Sequence, residues 1–200
     1  MAAGSAPSTT RPLRSPKGPT TLLLVRHGRT STTGSVLPGR APGLHLTPEG
    51  LEQARSAATR ISPLKPGAVY ASPMERTRET AAPIARAAGL RTRTAKGLIE
   101  CDFGDWTGSS LASLRRRREW ATVQTSPSVF RFPGGESFAE MSERMWDQLL
   151  VLVRRHRGET IVGQPRGSDQ GGCHHGHRKP PRRVPAGGGV TLFGDRVALR

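Results

Sequence analysis

The 200-residue sequence has few cysteines, few aromatic residues and no long apolar run. Its two cysteines, Cys101 and Cys173, cannot form a disulfide framework, which indicates a reducing, cytoplasmic location. No run is long enough to span a membrane and no signal-peptide core precedes Thr21, so we expect no membrane partner. Only 34% of the residues are hydrophobic and 4% aromatic, a lean supply that still suits one domain with a core.

Acidic residues are also scarce, with 15 Asp and Glu against 31 Lys and Arg, which gives a formal net charge of +16. This sign favours an anionic partner, either nucleic acid or a small phosphorylated molecule. The basic run at residues 115–118 has no interleaved aromatic residues on which bases could stack, so we interpret it as a solvated face and expect no nucleic-acid partner. A basic nucleic-acid-binding protein without catalysis remains the alternative to an enzyme.

The chain divides into three segments by composition. Residues 1–19 are Ala, Gly, Ser, Thr and Pro with scattered bases, which predicts a disordered leader. Residues 20–162 alternate strands and helices, which predicts one α/β domain with three α/β/α layers and a largely parallel sheet. The predicted strands are 21–25, 68–71, 91–98 and a last one beginning at 160. From 163 to 200 no periodicity remains, and we predict an aberrant, disordered basic tail.

Helix boundaries carry local signals. Thr47 followed by Pro48 predicts the start of the first long helix, and Ser137 with Glu140 predicts a capping box for the last. The Ser72 turn has similar spacing, and Pro83 within the helix that follows predicts a kink or break. The predicted buried stripe of the first long helix is Leu51, Ala54, Ala58 and Ile61.

Charged residues follow three of the predicted strands. The aliphatic run Leu22–Val25 leads into Arg26 and His27, the Ser72 turn leads into Arg76, and Glu100 follows the third strand. The carboxyl ends of parallel strands meet at one edge of a sheet, where ligands bind. A histidine nucleophile, arginines for the phosphate oxygens and a carboxyl proton donor together suit phosphoryl transfer. We expect no metal or other cofactor, because guanidinium groups supply the positive charge.

Five motifs resemble the histidine phosphatase superfamily, in its phosphoglycerate-mutase-like branch. In chain order they are Arg26-His27-Gly28-x-Thr30, Gly39-Arg40 with Leu46-Thr47-Pro48-Glu49-Gly50, Ser72-Pro73-x-x-Arg76, Glu100-x-x-Phe103-Gly104-x-Trp106 and Phe132-Pro133-Gly134-Gly135-Glu136-Ser137. The resemblance implies a phosphatase or phosphomutase that acts on a small phosphorylated metabolite through a phosphohistidine.

The same resemblance implies the roles of individual residues. His27 is the expected nucleophile and Glu100 the expected proton donor. The expected substrate-binding residues are Arg26, Gly28, Thr30, Arg40 and Arg76. One departure is Thr33, where many mutases of the family carry Asn, and it weakens any transfer of mutase substrate contacts to this chain.

A larger departure follows the last predicted strand. The family places a second catalytic histidine there, whereas this sequence reads Gly163-Gln164-Pro165-Arg166. If each codon is read one base later, the codon that begins in Gln164 can encode only Ser or Asn, and the one that begins in Pro165 can encode His. The later positions at which the genetic code leaves only two choices also agree with the family pattern. We hypothesise that the segment from about 163 is a frameshift product, genuine or from a sequencing error, which would leave the domain incomplete and its activity impaired.

The tail also contains a short tract of potential metal ligands. Structural zinc sites use four ligands, in pairs with a recurrent spacing. The tract is a single cluster and does not follow that pattern, so we expect no metal site there. Its residues are Cys173, His174, His175 and His177.

Overall fold

A computed structural model describes residues 18–164 and 189–193 of the chain. Within these residues, parallel strands form one sheet in the order β3-β2-β4-β1-β5. The strands are β1 (Thr21–Val25), β2 (Ala68–Ala71), β3 (Thr92–Thr94), β4 (Thr160–Gln164) and β5 (Gly189–Phe193). The central strand β4 pairs with both β1 and β2, so the carboxyl ends of these three strands lie side by side.

Helices cover both faces of the sheet, as the sequence predicts. They are α1 (Pro48–Ile61), α2 (Glu75–Ala87), α3 (Leu111–Leu114), α4 (Glu119–Thr125) and α5 (Phe138–Arg155). One apolar cluster joins Leu23 and Val69 of the sheet to α1 and α2. A second joins Leu22 and Tyr70 to α5 on the opposite face. The three-layer α/β/α prediction is therefore confirmed.

Two predicted helix starts are confirmed. The Thr47 hydroxyl accepts a hydrogen bond from the Gly50 amide at 3.1 Å, and Pro48 is the first residue of α1. Ser137 and Glu140 form a complete capping box at the start of α5. The predicted stripe of α1 is wrong at Leu51, which is 38% exposed, because Gly50 is the buried residue of that turn.

The segment between β2 and Glu100 differs from the prediction. Helix α2 begins at Glu75, and the Ser72 hydroxyl lies 2.8 Å from that of Thr77 instead of capping the helix. Pro83 lies inside α2, which continues to Ala87, so of the predicted kink or break the break is wrong and the kink stays a prediction. Strand β3 is short, and a 3₁₀ turn at Lys96–Leu98 separates it from Glu100.

The predicted leader and tail fall largely outside the described residues. Strand β4 extends to Gln164, two residues beyond the predicted end of the domain at 162, and β5 lies parallel to β1 at 189–193. The Cys173–His177 tract lies outside the described residues, and the frameshift stays a hypothesis. Within the described residues, every helix is too short or too polar to cross a membrane.

Candidate active site

His27 lies just beyond the end of β1 and is 8% exposed. Its Nδ1 is 2.8 Å from the Gly28 carbonyl oxygen. Because a carbonyl only accepts, Nδ1 carries the hydrogen and Nε2 keeps its lone pair. Burial is the main cause that lowers the pKa of His27 to about 4, with the charges of Arg76 and Arg26 adding to it and the Gly28 hydrogen bond opposing it. The ring is therefore neutral at pH 7.

Arg76 lies in the first turn of α2 and is 1% exposed. Its Nη2 donates to the Gly39 carbonyl at 2.9 Å. Among the described residues, its Nε and Nη1 have no hydrogen-bond partner. Buried donors are normally paired, and those of a guanidinium match the oxygens of a phosphate. This side chain is therefore suited to bind an anion.

Glu100 completes the charged group at this edge of the sheet. It is 6% exposed, and its Oε1 accepts a hydrogen bond from the Cys101 amide at 2.9 Å. Burial lowers the pKa of Arg76, and the carboxylates of Glu100 and Glu75 partly offset this. Arg76 thus lies within electrostatic range of Glu100 and also of His27, and Arg26 lies within range of His27.

The chain matches a known protein family over most of its length. A family model described as Histidine phosphatase superfamily (branch 1) matches residues 22–163. The chain belongs to the histidine phosphatase superfamily. It is similar to phosphoserine phosphatase 1 of Hydrogenobacter thermophilus, 32% identical over 149 residues that cover 70% of this chain and 68% of that protein.

Two further relatives represent both reaction types of the superfamily. The 2,3-bisphosphoglycerate-dependent phosphoglycerate mutase of Brucella anthropi is 32% identical over 157 residues, 71% of this chain and 73% of that protein. The solved phosphoserine phosphatase of Entamoeba histolytica, in complex with 3-phosphoglyceric acid, superposes with a TM-score of 0.65 at 28% identity and covers 74% of each chain. This histidine phosphatase is thus an enzyme with phosphatase or phosphomutase activity.

Two predicted substrate-binding residues make contacts within the protein. The Gly28 amide donates to the Thr80 hydroxyl at 3.1 Å, and a Cβ at Gly28 would lie 2.3 Å from the Gly50 carbonyl oxygen. Gly28 therefore allows β1 and the start of α1 to approach each other. Thr30 is buried, and its hydroxyl lies 3.0 Å from that of Thr33. These contacts are all within the protein, so a substrate role for Gly28 and Thr30 stays a prediction.

Arg40 was also expected to contact substrate, but the protein already engages its guanidinium. Nε donates to the Glu100 carbonyl at 2.9 Å, Nη1 to Asp102 at 3.1 Å, and Nη2 pairs with Glu136 at 2.8 Å. A long loop thus brings Arg40 to the backbone of the predicted proton donor.

Sequence reasoning missed two polar side chains near this edge. Gln164, at the end of β4, is fully buried, and neither of its amide atoms has a partner among the described residues. Arg144 of α5 is bonded to the backbone around Glu100. A signal for it exists in the sequence, because Arg144 interrupts the apolar face that contains Met141 and Met145. In the described part of the chain, no group of three or more His, Cys, Asp or Glu is placed to hold a metal ion.

Proposed function

We propose that this histidine phosphatase transfers the phosphoryl group of a small phosphorylated metabolite through a phosphohistidine at His27. One observation carries the proposal: a buried, neutral imidazole whose Nδ1 is bound to the Gly28 carbonyl, which leaves Nε2 as the nucleophile. The unpaired donors of Arg76, within electrostatic range of that ring, support the same assignment.

In the first half-reaction, the lone pair of His27 Nε2 forms a bond to phosphorus. The ester P–O bond breaks, and its electrons pass to the leaving oxygen. Arg26 and Arg76 bind the non-bridging oxygens and offset the charge of the transition state. Glu100, in its protonated form, gives its proton to the leaving oxygen, so that the product departs as a neutral alcohol.

In the second half-reaction, the phosphoryl group passes to an acceptor. The Glu100 carboxylate takes a proton from water or from a second hydroxyl, whose oxygen then bonds to phosphorus. The N–P bond breaks, and Nε2 regains its lone pair. Phosphatase and mutase differ only in the acceptor, and no metal or other cofactor enters the scheme.

The relatives suggest the class of substrate. They are named for phosphoserine and for phosphoglycerate, which are both small phosphomonoesters that also bear a carboxylate. We extend that class to this chain. The basic character of the protein, with a formal net charge of +16, favours the approach of such anions.

We further propose that the chain as written is a slow enzyme. The resemblance places a second histidine at the end of β4, where the sequence reads Gly163-Gln164-Pro165-Arg166. Loss of one donor that stabilises developing charge costs roughly 10²–10³ in rate. A weak but measurable phosphatase activity is therefore expected.

Turnover of phosphoserine and 3-phosphoglycerate, measured as released phosphate, tests the proposal. We expect His27→Ala to abolish release. His45→Ala is the matched control, because the His45 side chain is 61% exposed and pairs with Glu79 outside the site, and it should retain turnover. Turnover that survives in His27→Ala would refute the proposal. Salt-sensitive retention on DNA without any turnover would instead support the nucleic-acid-binding alternative.

A further inference from the structure

The backbone on either side of Glu100 is held by two arginines from distant parts of the chain. Arg40 Nε donates to the Glu100 carbonyl at 2.9 Å. Arg144 Nη1 donates to the Gly97 carbonyl at 2.8 Å and to the Ile99 carbonyl at 3.1 Å, and its Nη2 lies 3.5 Å from the Glu100 carbonyl. Both guanidinium groups therefore converge on the peptide that carries the Glu100 side chain.

Glu136 connects these two arginines. Its Oε1 lies 2.8 Å from Arg40 Nη2 and accepts from Arg144 Nε at 3.1 Å, and its Oε2 accepts from Arg144 Nη2 at 3.0 Å. Oε2 also accepts from the Asp102 amide at 3.1 Å, on the far side of Glu100. The three side chains are 22–30% exposed, so solvent screens these contacts less than those of a surface ion pair.

The charge balance of this network favours a fixed geometry. Burial raises the pKa of Glu136, but hydrogen bonds from Arg144, the Asp102 amide and Arg40 outweigh it and hold that pKa below its ordinary value. Arg40 also pairs with Asp102 at 3.1 Å. Two cations thus face two carboxylates, and every guanidinium nitrogen of Arg40 and Arg144 has a partner within the protein. This contrasts with Arg76, whose Nε and Nη1 have no hydrogen-bond partner among the described residues.

We propose that Arg40 and Arg144, bridged by Glu136, are positioning residues for the proton donor. The proposal rests on the proposed function, in which Glu100 protonates the leaving oxygen. A proton donor must lie within hydrogen-bond reach of that oxygen, and a small displacement of its backbone removes the carboxyl from reach. The arginines bind the carbonyls of Gly97, Ile99 and Glu100, and Glu136 binds the Asp102 amide. The backbone on both sides of Glu100 is therefore fixed, and with it the orientation of the Glu100 carboxyl group.

Leaving-group dependence separates this role from a structural one. A nitrophenolate is stable as an anion and departs without a proton, whereas an alkoxide requires one. Loss of the positioned donor therefore slows cleavage of an alkyl phosphate and spares that of 4-nitrophenyl phosphate. A general loss of folding or of phosphate binding slows both reactions equally.

The experiment uses Arg40→Lys and Arg144→Lys in the full chain, with phosphoserine and 4-nitrophenyl phosphate as substrates. Lysine keeps the charge but cannot make the several directed bonds of a guanidinium. We expect kcat/KM for phosphoserine to fall by about 10²-fold, the lower end of the usual contribution of a general acid, with little change for 4-nitrophenyl phosphate. Glu100→Gln should show the same substrate pattern.

Arg55→Lys is the matched control, because Arg55 pairs with Glu52 on the exposed face of α1, and it should leave both substrates unaffected. If a lysine variant does not fold, Glu136→Gln keeps the side-chain volume and weakens the same network. Equal losses for both substrates, or no loss, would overturn the positioning role while the proposed function stands. A wild-type chain that cleaves neither substrate would overturn both.

Discussion

His27 combines burial with a fixed tautomer, and both properties follow from its place at the end of β1. The ring is neutral because burial and two arginines lower its pKa, and its hydrogen bond to Gly28 leaves Nε2 unprotonated. Because burial lowers the pKa of this ring, the stability of the folded enzyme depends on pH. Between about 4 and the ordinary value of 6.5, the unfolded chain binds a proton at this position that the folded chain does not.

The folded enzyme should therefore lose stability as the pH falls through this window. We expect the His27 contribution to lower the free energy of unfolding by about 3 kcal/mol in total between pH 6.5 and pH 4. His27→Gln should lack this part of the pH dependence. Urea unfolding of both proteins between pH 4 and pH 7 measures the difference, and two parallel curves would contradict the assigned pKa.

Gln164 provides a second test of burial. Its carboxamide is fully buried without a hydrogen-bond partner among the described residues. Gln164→Leu should raise the free energy of unfolding by about 1–3 kcal/mol, because it removes unsatisfied polar atoms. Gln148→Leu is the matched control: its Oε1 accepts from the Gly97 amide at 3.2 Å, so its removal should lower stability. An equal fall in the free energy of unfolding of both variants would show that the Gln164 carboxamide has a hydrogen-bond partner.

The junction between β1 and α1 depends on two glycines that face each other. A Cβ at Gly28 would lie 2.3 Å from the Gly50 carbonyl oxygen, and a Cβ at Gly50 would lie 2.1 Å from that of Arg29. Helix α1 can approach the catalytic turn this closely only without these side-chain atoms. Their contact fixes where the chain turns after His27.

Gly50→Ala should therefore displace the start of α1 and destabilise the enzyme by roughly 1–3 kcal/mol, the usual cost of overpacking. Phosphatase activity should fall as well, because Gly28 adjoins His27. Ser56→Ala, on the exposed side of the same helix, is the control and should change neither property. Thermal unfolding and phosphate release measure the two effects. Full stability in Gly50→Ala would contradict the close approach.

Short capping motifs in the sequence predicted where helices start better than they predicted the hydrogen-bond partners of individual side chains. Thr47 and Ser137 marked the starts of α1 and α5 because a cap is a short-range hydrogen bond that a few residues determine. The Ser72 turn carried a similar pattern, yet Ser72 bonds to Thr77, and α2 starts later. A hydroxyl with two local partners cannot be assigned from spacing alone.

Arg40 shows why the site was only partly predictable. Parallel topology explains why residues after β1 and β2, such as His27 and Arg76, could be expected at one edge of the sheet. Glu100 does not follow a strand directly, because a 3₁₀ turn at Lys96–Leu98 lies between it and β3. The partners of Arg40 are Glu100, Asp102 and Glu136, each at least 60 residues away. Only the folded chain brings these charges together, so no pattern near Arg40 indicates that it holds a backbone carbonyl.

The chain has two parts that differ in their sequence pattern. Residues 22–163 match the histidine phosphatase family, while the segment between β4 and β5 has no apolar periodicity. Parallel strands require a crossover connection, which is usually a helix. The frameshift hypothesis accounts for this contrast and for the absence of the second histidine.

Restoration of the shifted reading from Gln164 onward should therefore raise both soluble yield and specific activity. A gain of roughly 10²–10³ in rate is expected from the recovered histidine donor. Phosphate release at equal concentrations of folded protein measures it. An unchanged specific activity in the restored chain would count against the hypothesis, as would a gene whose intact frame encodes no family-like alternative.

The most direct test of the account is the site of phosphorylation. The chain is mixed with [³²P]-labelled phosphoserine, quenched in alkali within one turnover, and its peptides are mapped. We expect one labelled peptide with the phosphoryl group on His27, no label in His27→Ala, and retained label in His45→Ala. Label on another residue, or a labelled His27→Ala protein, would contradict the phosphohistidine mechanism.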